Sequence, residues 1–217
     1  MTATLAAPTV WTAADVVRRF GAIQMDRIRT NPAPGFVTAE DVVAINDHED
    51  RLFELIDGLL VEKTYGIYES IVAVEFACCI ANCAKKHRLG RVLGADGMFR
   101  LAPSLIRIPD VSFIAMHKIR DGKFPAGAIT SLVPDLAVEV LSSGNTKEEM
   151  SDKLQDYFDA GVRLVWYVDP VGHSIDVFTA VDQKRTVREG EKLDGGDVLP
   201  GFELDVRELF AEFPREA

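Results

Sequence analysis

An acidic residue lies inside a segment that has the pattern of a buried β-strand. In Leu136-Ala-Val-Glu-Val140, successive side chains alternate between two faces, so Glu139 shares a face with Ala137. Glutamate disfavours strands and is rarely buried unless another group pairs with it. A charged carboxylate in this position needs a lysine or a metal ion to offset its lost hydration. The segment therefore predicts a strand that carries either a buried ion pair or a functional acid.

A second carboxylate and a lysine are candidates to join Glu139. Asp110 lies in the apolar segment 106–114, and pairing with a neighbouring strand would bring it within about 5 Å of Glu139. Asp135 belongs to the Glu139 strand itself, but four residues of strand separate the two by roughly 13 Å. Lys153 borders the apolar stripe of the helix that follows. Two carboxylates and a lysine around a sheet predict metal-assisted hydrolysis, with Mg²⁺ or Mn²⁺ as the ion.

Each of the three residues also has a structural alternative. Glu139 would serve as one half of a buried ion pair. Asp110 would be a turn or capping residue after Pro109. Lys153 would cover apolar surface with its stem while its ammonium stays in water.

Length and composition favour one soluble α/β domain. The chain has 217 residues, 47% apolar and 27% charged, which suffices for a single sizeable core. No apolar run approaches the roughly 20 residues of a membrane span, and we expect no membrane partner. The first residues lack a basic segment followed by an apolar one, so we expect no signal peptide. Three cysteines without CxxC spacing predict buried free thiols in a reducing cytoplasm.

The net charge of −10 weighs against tight, sequence-independent binding to nucleic acid, because neutralisation of phosphates supplies much of that affinity. A local basic cleft stays possible on an acidic chain.

The order of predicted elements divides the chain into two parts. Residues 1–37 form a helical arm, with an amphipathic helix over 10–28 and a Pro/Gly-rich loop. Residues 38–217 form the main domain, a mixed central sheet flanked by helices. Thr38 and Thr146 begin helices with capping boxes. The apolar spacing 71, 74, 78 and 81 predicts the core face of another helix. The apolar stripe of the arm predicts a homodimer.

Several segments together resemble the Uma-two family of restriction-endonuclease-like proteins, within the PD-(D/E)XK nuclease superfamily. They include the Pro109-Asp110 dipeptide, the strand with Glu139, and the helix with Lys153 and Tyr157. The resemblance covers residues from about 38 to 210 and also includes the segments 53–58, 94–101, 160–170 and 197–202.

The resemblance implies a restriction-endonuclease-like core with a four- to five-stranded mixed sheet and a Mg²⁺ site at one sheet end. Asp110 and Glu139 would be metal ligands, with the Val140 carbonyl as a further ligand. Lys153 would be the catalytic lysine, and Glu54 would help to bind metal or water. The chain departs from the parent motif at Leu141, where that motif has the lysine. It departs again at Tyr68, where relatives often have histidine.

Three functions follow from these observations. The first is a metal-dependent endodeoxyribonuclease in which two carboxylates hold the ion and a lysine orients water. The second is a catalytically weak nuclease-like fold that serves as a DNA- or protein-interaction module. The third is a metal-dependent hydrolase of small phosphate esters, which would fit the acidic surface but lacks a glycine-rich phosphate loop.

Overall fold

A computed structural model describes residues 10–64, 66–119 and 122–211. Within these ranges the α-helices are α1 Ala13–Phe20, α2 Ala39–His48, α3 Ile67–His87, α4 Lys147–Ala160 and α5 Val206–Phe210. The strands are β1 Ile28–Arg29, β2 Phe53–Ile56, β3 Leu59–Glu62, β4 Gly90–Leu93, β5 Met98–Ala102, β6 Leu105–Arg107, β7 Val111–Ala115, β8 Ile129–Thr130, β9 Leu136–Val140, β10 Leu164–Asp169, β11 Ser174–Ala180, β12 Gln183–Arg188, β13 Lys192–Gly195 and β14 Leu199–Asp205.

The central sheet contains six strands in the order β12-β11-β10-β9-β7-β4. Its strand β9 carries Glu139 and lies between antiparallel β7 and parallel β10. Every residue of β9 is buried, because α3 covers one face of the sheet and α4 covers the other. The sheet is mixed and flanked by helices, as the sequence predicts.

A second sheet, here called the outer sheet, was not predicted. It contains six short strands in the order β1-β3-β2-β6-β5-β8. The prediction of one sheet with four to five strands was therefore wrong in the number of sheets and of strands. Residues 91–101 contribute to two strands, β4 and β5, because a turn joins the Gly97 amide to the Gly94 carbonyl. Pairing between strands distant in sequence leaves little local signal, and the pattern of each short strand therefore does not reveal its sheet.

The chain crosses from the outer sheet to the central sheet at Pro109 and Asp110. Strand β6 ends at Arg107 and β7 begins at Val111, so the apolar segment 106–114 contributes to both sheets. Proline has no amide hydrogen to donate to a ladder. Asp110 therefore lies at the junction of the two sheets rather than inside either.

The helix that carries Lys153 begins and ends as predicted. Thr146 and Glu149 form a capping box at its start, and Gly161 ends it with φ of 96°. The Thr38–Asp41 capping box of α2 is likewise present.

The prediction for the buried face of α3 was wrong. Ile71 and Val74 are exposed, whereas Val72, Phe76 and Ile80 are fully buried in the core. This helix is apolar on several sides, so its sequence contains two stripes of similar spacing. The bulkier Phe76 and Ile80 occupy the stripe that packs on the central sheet.

Helix α3 also differs from two further expectations. Its length and its mean hydropathy of 1.5 are sufficient for a membrane span. This contradicts the expectation that no apolar segment is long enough to cross a membrane. The core helices of soluble proteins pass the same test, and one face of α3 fills the core. Its three cysteines are free, as expected, but Cys78 is exposed rather than buried.

The arm is integrated into the fold. Its helix α1 ends at Phe20 because Gly21 follows with φ of 63°, well before the predicted end at residue 28. Val16, Phe20 and Ile23 pack with residues of β2 and β3 in one buried cluster. Part of the apolar stripe that suggested a homodimer is thus covered by the chain itself, whereas Val17 and Met25 are exposed. The boundary at residues 37 and 38 stays a prediction, and residues 1–9 lie outside the described ranges.

Replacing Phe20 by alanine tests this integration. Phe20 is fully buried, so Phe20→Ala should lower the free energy of unfolding by about 3–5 kcal/mol through the cavity it leaves. Val17→Ala, on the exposed side of the same helix, is the control and should change it by about 0.5 kcal/mol or less. Equal, small effects in urea denaturation would show that the arm does not pack on the domain.

Candidate active site

A small cavity lies at the junction of the two sheets and α4. Its volume is about 10 Å³, close to the minimum that holds one water-sized group. The five residues predicted for the site, namely Glu54, Asp110, Glu139, Val140 and Lys153, all line it. The other lining residues are Arg27, Lys63, Thr64, Asn145 and Glu149.

Glu139 is 4% exposed and paired on both carboxylate oxygens. The Lys153 Nζ lies 2.9 Å from its Oε2, and the Tyr157 hydroxyl donates to its Oε1. Burial and the nearby Asp110 and Glu54 carboxylates raise the pKa of Glu139, and Lys153 opposes this rise. Its need for a cation, inferred from the strand pattern, is therefore met by Lys153.

Lys153 projects from α4 between two carboxylates. It is 5% exposed, so the alternative of an ammonium in water does not describe it. Its Nζ lies 3.2 Å from Glu54 Oε1 in addition to its contact with Glu139. Burial lowers the pKa of Lys153, but Glu139 and Glu54 outweigh this and hold it above its ordinary value. Lys153 is therefore protonated at neutral pH.

Asp110 binds a second lysine and the neighbouring strand. The Lys63 Nζ lies 2.8 Å from Asp110 Oδ1, and the Val140 amide donates to Oδ2 at 2.7 Å. Through this hydrogen bond Asp110 caps the end of β9, one residue beyond Glu139. Lys63 was not predicted as a site residue. It directly follows β3, and no motif or periodicity around it distinguishes it from a surface lysine.

Glu54 belongs to a buried network with Arg107 and Asp156. Arg107 lies 2.8 Å from Glu54 and 2.5 Å from Asp156, and the Ile108 amide donates to Glu54 at 2.8 Å. Burial raises the pKa of Glu54, but Lys153 and Arg107 outweigh it and lower the pKa to about 2. Arg107 was missed, although a charged residue between Ile106 and Ile108 is the same signal that identified Glu139.

The arm and the loop before α4 close the cavity. Arg27 lies 2.6 Å from Glu149 and donates to the Gly144 carbonyl at 2.9 Å. Both partners of this ion pair are buried. Tyr68, where the resemblance suggests a histidine, is half exposed on α3 and is not among the residues that line the cavity.

The donor chemistry of the cavity fits a small divalent ion. Asp110 and Glu139 offer carboxylate oxygens, and Val140 lies between them at the end of β9. Hard oxygen ligands of this type suit Mg²⁺ and Mn²⁺. Among the described residues, no set of three His, Cys, Asp or Glu side chains is already arranged around a metal position. The carboxylates contact lysines instead.

The chain matches the model of a known protein family. The model of the family Uma2, described as "Putative restriction endonuclease", matches residues 39–207. The chain therefore belongs to the Uma2 family, as the sequence resemblance predicted.

Solved structures show the same fold. A crystal structure described as "a putative nuclease belonging to DUF820 from Anabaena variabilis" superposes with a TM-score of 0.69 at 17% sequence identity. The match covers 81% of this chain and 98% of that one. The restriction-endonuclease-like core is thereby confirmed. No curated protein matches this chain.

The lowered pKa of Glu54 predicts a pH dependence of stability. Because its pKa is lower folded than unfolded, Glu54 stabilises the fold above about pH 5, and this contribution disappears as the pH falls toward 2. A shift to a pKa of about 2 corresponds to about 3 kcal/mol. The unfolding free energies of wild type and Glu54→Gln should therefore converge by about 2 kcal/mol between pH 7 and pH 3, and the rest of the difference should disappear as the pH falls below 2.

Urea denaturation at several pH values measures this convergence. Glu203→Gln, which removes an exposed carboxylate that pairs with Lys192, is the control and should follow the wild type. A gap between wild type and Glu54→Gln that stays constant with pH would contradict an ionised, stabilising Glu54.

Proposed function

We propose that the protein is a Mg²⁺- or Mn²⁺-dependent endodeoxyribonuclease. The observation that carries the proposal is the convergence of Asp110, Glu139 and a buried, protonated Lys153 on one ion-sized cavity at a sheet end. Membership of a family described as "Putative restriction endonuclease" supports DNA as the substrate. A homodimer and a cytoplasmic location belong to the same proposal.

In this proposal the carboxylates of Asp110 and Glu139 hold the ion, together with the Val140 carbonyl. When bound, a divalent ion would polarise the phosphodiester and lower the pKa of a coordinated water molecule. Tyr157 fixes one oxygen of Glu139. The orientation of that carboxylate is therefore set by the fold before any ligand arrives.

Lys153 acts as a fixed positive charge. Since its pKa is held above the ordinary value, it does not serve as a general base at neutral pH. Its N–H groups instead orient the attacking water and stabilise the negative charge that develops on the phosphate. Glu54 and Glu139 hold the ammonium from two sides, so its position requires no reorganisation during the reaction.

DNA would reach the site through a groove beside α3. The groove has a volume of about 270 Å³ and is lined by Leu52, Ala73 and Val74, with Asp110 and Lys63 among its lining residues. Because the inner cavity is far smaller, only the ion would occupy it, while the phosphodiester approaches from the groove.

A second candidate is a nuclease-like interaction module that binds without cleaving. One observation favours it: the carboxylates of the cavity contact lysine or arginine side chains. The cluster is thereby stabilised without a metal ion.

Substitution of the proposed ligands separates the two candidates. Asp110→Asn and Glu139→Gln should each reduce Mg²⁺-dependent nicking of plasmid DNA on the order of 100-fold or more, because the ion and its charge stabilisation are lost. Calorimetric titration of Mg²⁺ and Mn²⁺ into the same samples should show weakened binding. Glu203→Gln, far from charge networks of the cavity, should nick like the wild type.

The measurement has two informative failures. Full nicking by both ligand variants would overturn the assignment of the ligands. A wild-type protein that neither binds metal nor nicks DNA would favour the interaction module.

A further inference from the structure

The role proposed above leaves a buried lysine at the site unused. Lys63 is 7% exposed and its Nζ lies 2.8 Å from Asp110, a proposed metal ligand. The ammonium also donates to the Ile108 carbonyl at 2.6 Å. A lysine therefore fills a cation position on the carboxylate that the divalent ion would need.

The Lys63–Asp110 pair separates two spaces. Both residues line the inner cavity of about 10 Å³, and both line the groove of about 270 Å³ beside α3. The inner cavity holds one ion-sized group at most, and an ion there would lie beside the Lys63 ammonium on the same carboxylate. The groove, in contrast, has ample room for the end of a lysine side chain.

The same lysine–aspartate arrangement occurs a second time in the chain. Asp135, like Asp110, follows a proline and precedes a strand. The Lys118 Nζ lies 2.9 Å from Asp135 Oδ1 and donates to the carbonyl of Val133, two residues before the aspartate. The Ala115 amide donates to Asp135 Oδ2 at 2.8 Å.

The two arrangements are related by the antiparallel pairing of β7 and β9. Asp110 accepts the amide of Val140, the last residue of β9, and Asp135 accepts that of Ala115, the last residue of β7. In both places the lysine-paired aspartate thus caps the last residue of the neighbouring strand. A lysine–aspartate pair of this kind is therefore not by itself a sign of a metal site.

The surroundings of the two aspartates differ in one respect. The residue before Val140 is Glu139, whereas the residue before Ala115 is Ile114. At Asp110, a further carboxylate therefore lines the same cavity, together with Glu54. Lys63 is consequently the lysine whose charge competes with a divalent ion, and Lys118 provides a matched comparison.

We propose that Lys63 is the resident counter-ion of the metal site: its ammonium occupies Asp110 in the metal-free protein and moves into the groove when a divalent ion binds. The inference rests on the proposed function. Its physical basis is the repulsion between an ammonium and a divalent cation on one buried carboxylate, which is strong at low effective dielectric. The lysine therefore lowers metal affinity while it stabilises the metal-free fold.

Calorimetric titration with Mn²⁺ tests the competition. Lys63→Met keeps an unbranched side chain of similar length without the charge, and it should bind Mn²⁺ about tenfold more tightly than the wild type. Lys118→Met removes the matched lysine and should bind Mn²⁺ with wild-type affinity. Equal or weaker binding by Lys63→Met would overturn the inference.

A second readout uses the wild-type protein alone. Acylation with an amine-reactive reagent, followed by mass spectrometry, should label Lys63 slowly without metal and several times faster with saturating Mn²⁺. Lys118 in the same sample is the internal reference and should label at an unchanged rate. Unchanged labelling of Lys63 on metal binding would overturn the inference even if Lys63→Met fails to fold.

The outcomes distinguish this inference from the proposed function. If the wild type binds Mn²⁺ through Glu139 but Lys63→Met binds no more tightly, the counter-ion role fails and the nuclease proposal stands. If only Lys63→Met binds detectably, the counter-ion role is supported. If neither protein binds, both proposals fail.

Discussion

The structure depends on charge compensation among buried side chains where its two sheets meet. Carboxylates and cations enter this space from the arm, both sheets and α4, and each contacts a partner of opposite charge. A buried ion pair contributes little net stability, but removing one partner typically costs about 3–5 kcal/mol. The network therefore acts mainly as a constraint: the segments can assemble only in the arrangement that pairs every charge. The acids concerned are Glu54, Asp110, Glu139, Glu149 and Asp156, and the cations are Arg27, Lys63, Arg107 and Lys153.

This constraint explains why the candidate site is rigid and compact. Lys153 is held by two carboxylates, and Glu139 is held by Lys153 and Tyr157. Preorganised charges of this kind stabilise a transition state without reorganisation. In the proposed function the same compensation creates a conflict, since a divalent ion would compete with Lys63 for Asp110. Internal pairing of the acids would then stabilise the metal-free fold at the expense of metal affinity.

Residues that break a local pattern were the informative ones in the sequence. Glu139 stands out because it is a charged residue within an apolar strand whose residues are all buried. The helix that supplies Lys153 is marked by its capping box at the start and by the glycine that ends it. Arg107 breaks the pattern in the same way and could have been found by the same argument. In α3, however, nearly every position is apolar, so the periodicity did not distinguish the buried stripe from the exposed one.

The sequence by itself determined the family, the mixed sheet with its flanking helices, and five of the ten residues that line the cavity. Local periodicity and short motifs identified Asp110, Glu139 and Lys153, and the family resemblance added Glu54 and Val140. Only the tertiary structure decided the outer sheet, the packing of the arm, the buried face of α3 and the partners of each charge. These features depend on contacts between residues far apart in the chain, such as Arg27 with Glu149 and Lys63 with Asp110. No local pattern specifies which of two lysines and two aspartates meet, because that choice is made by the pairing of strands in space.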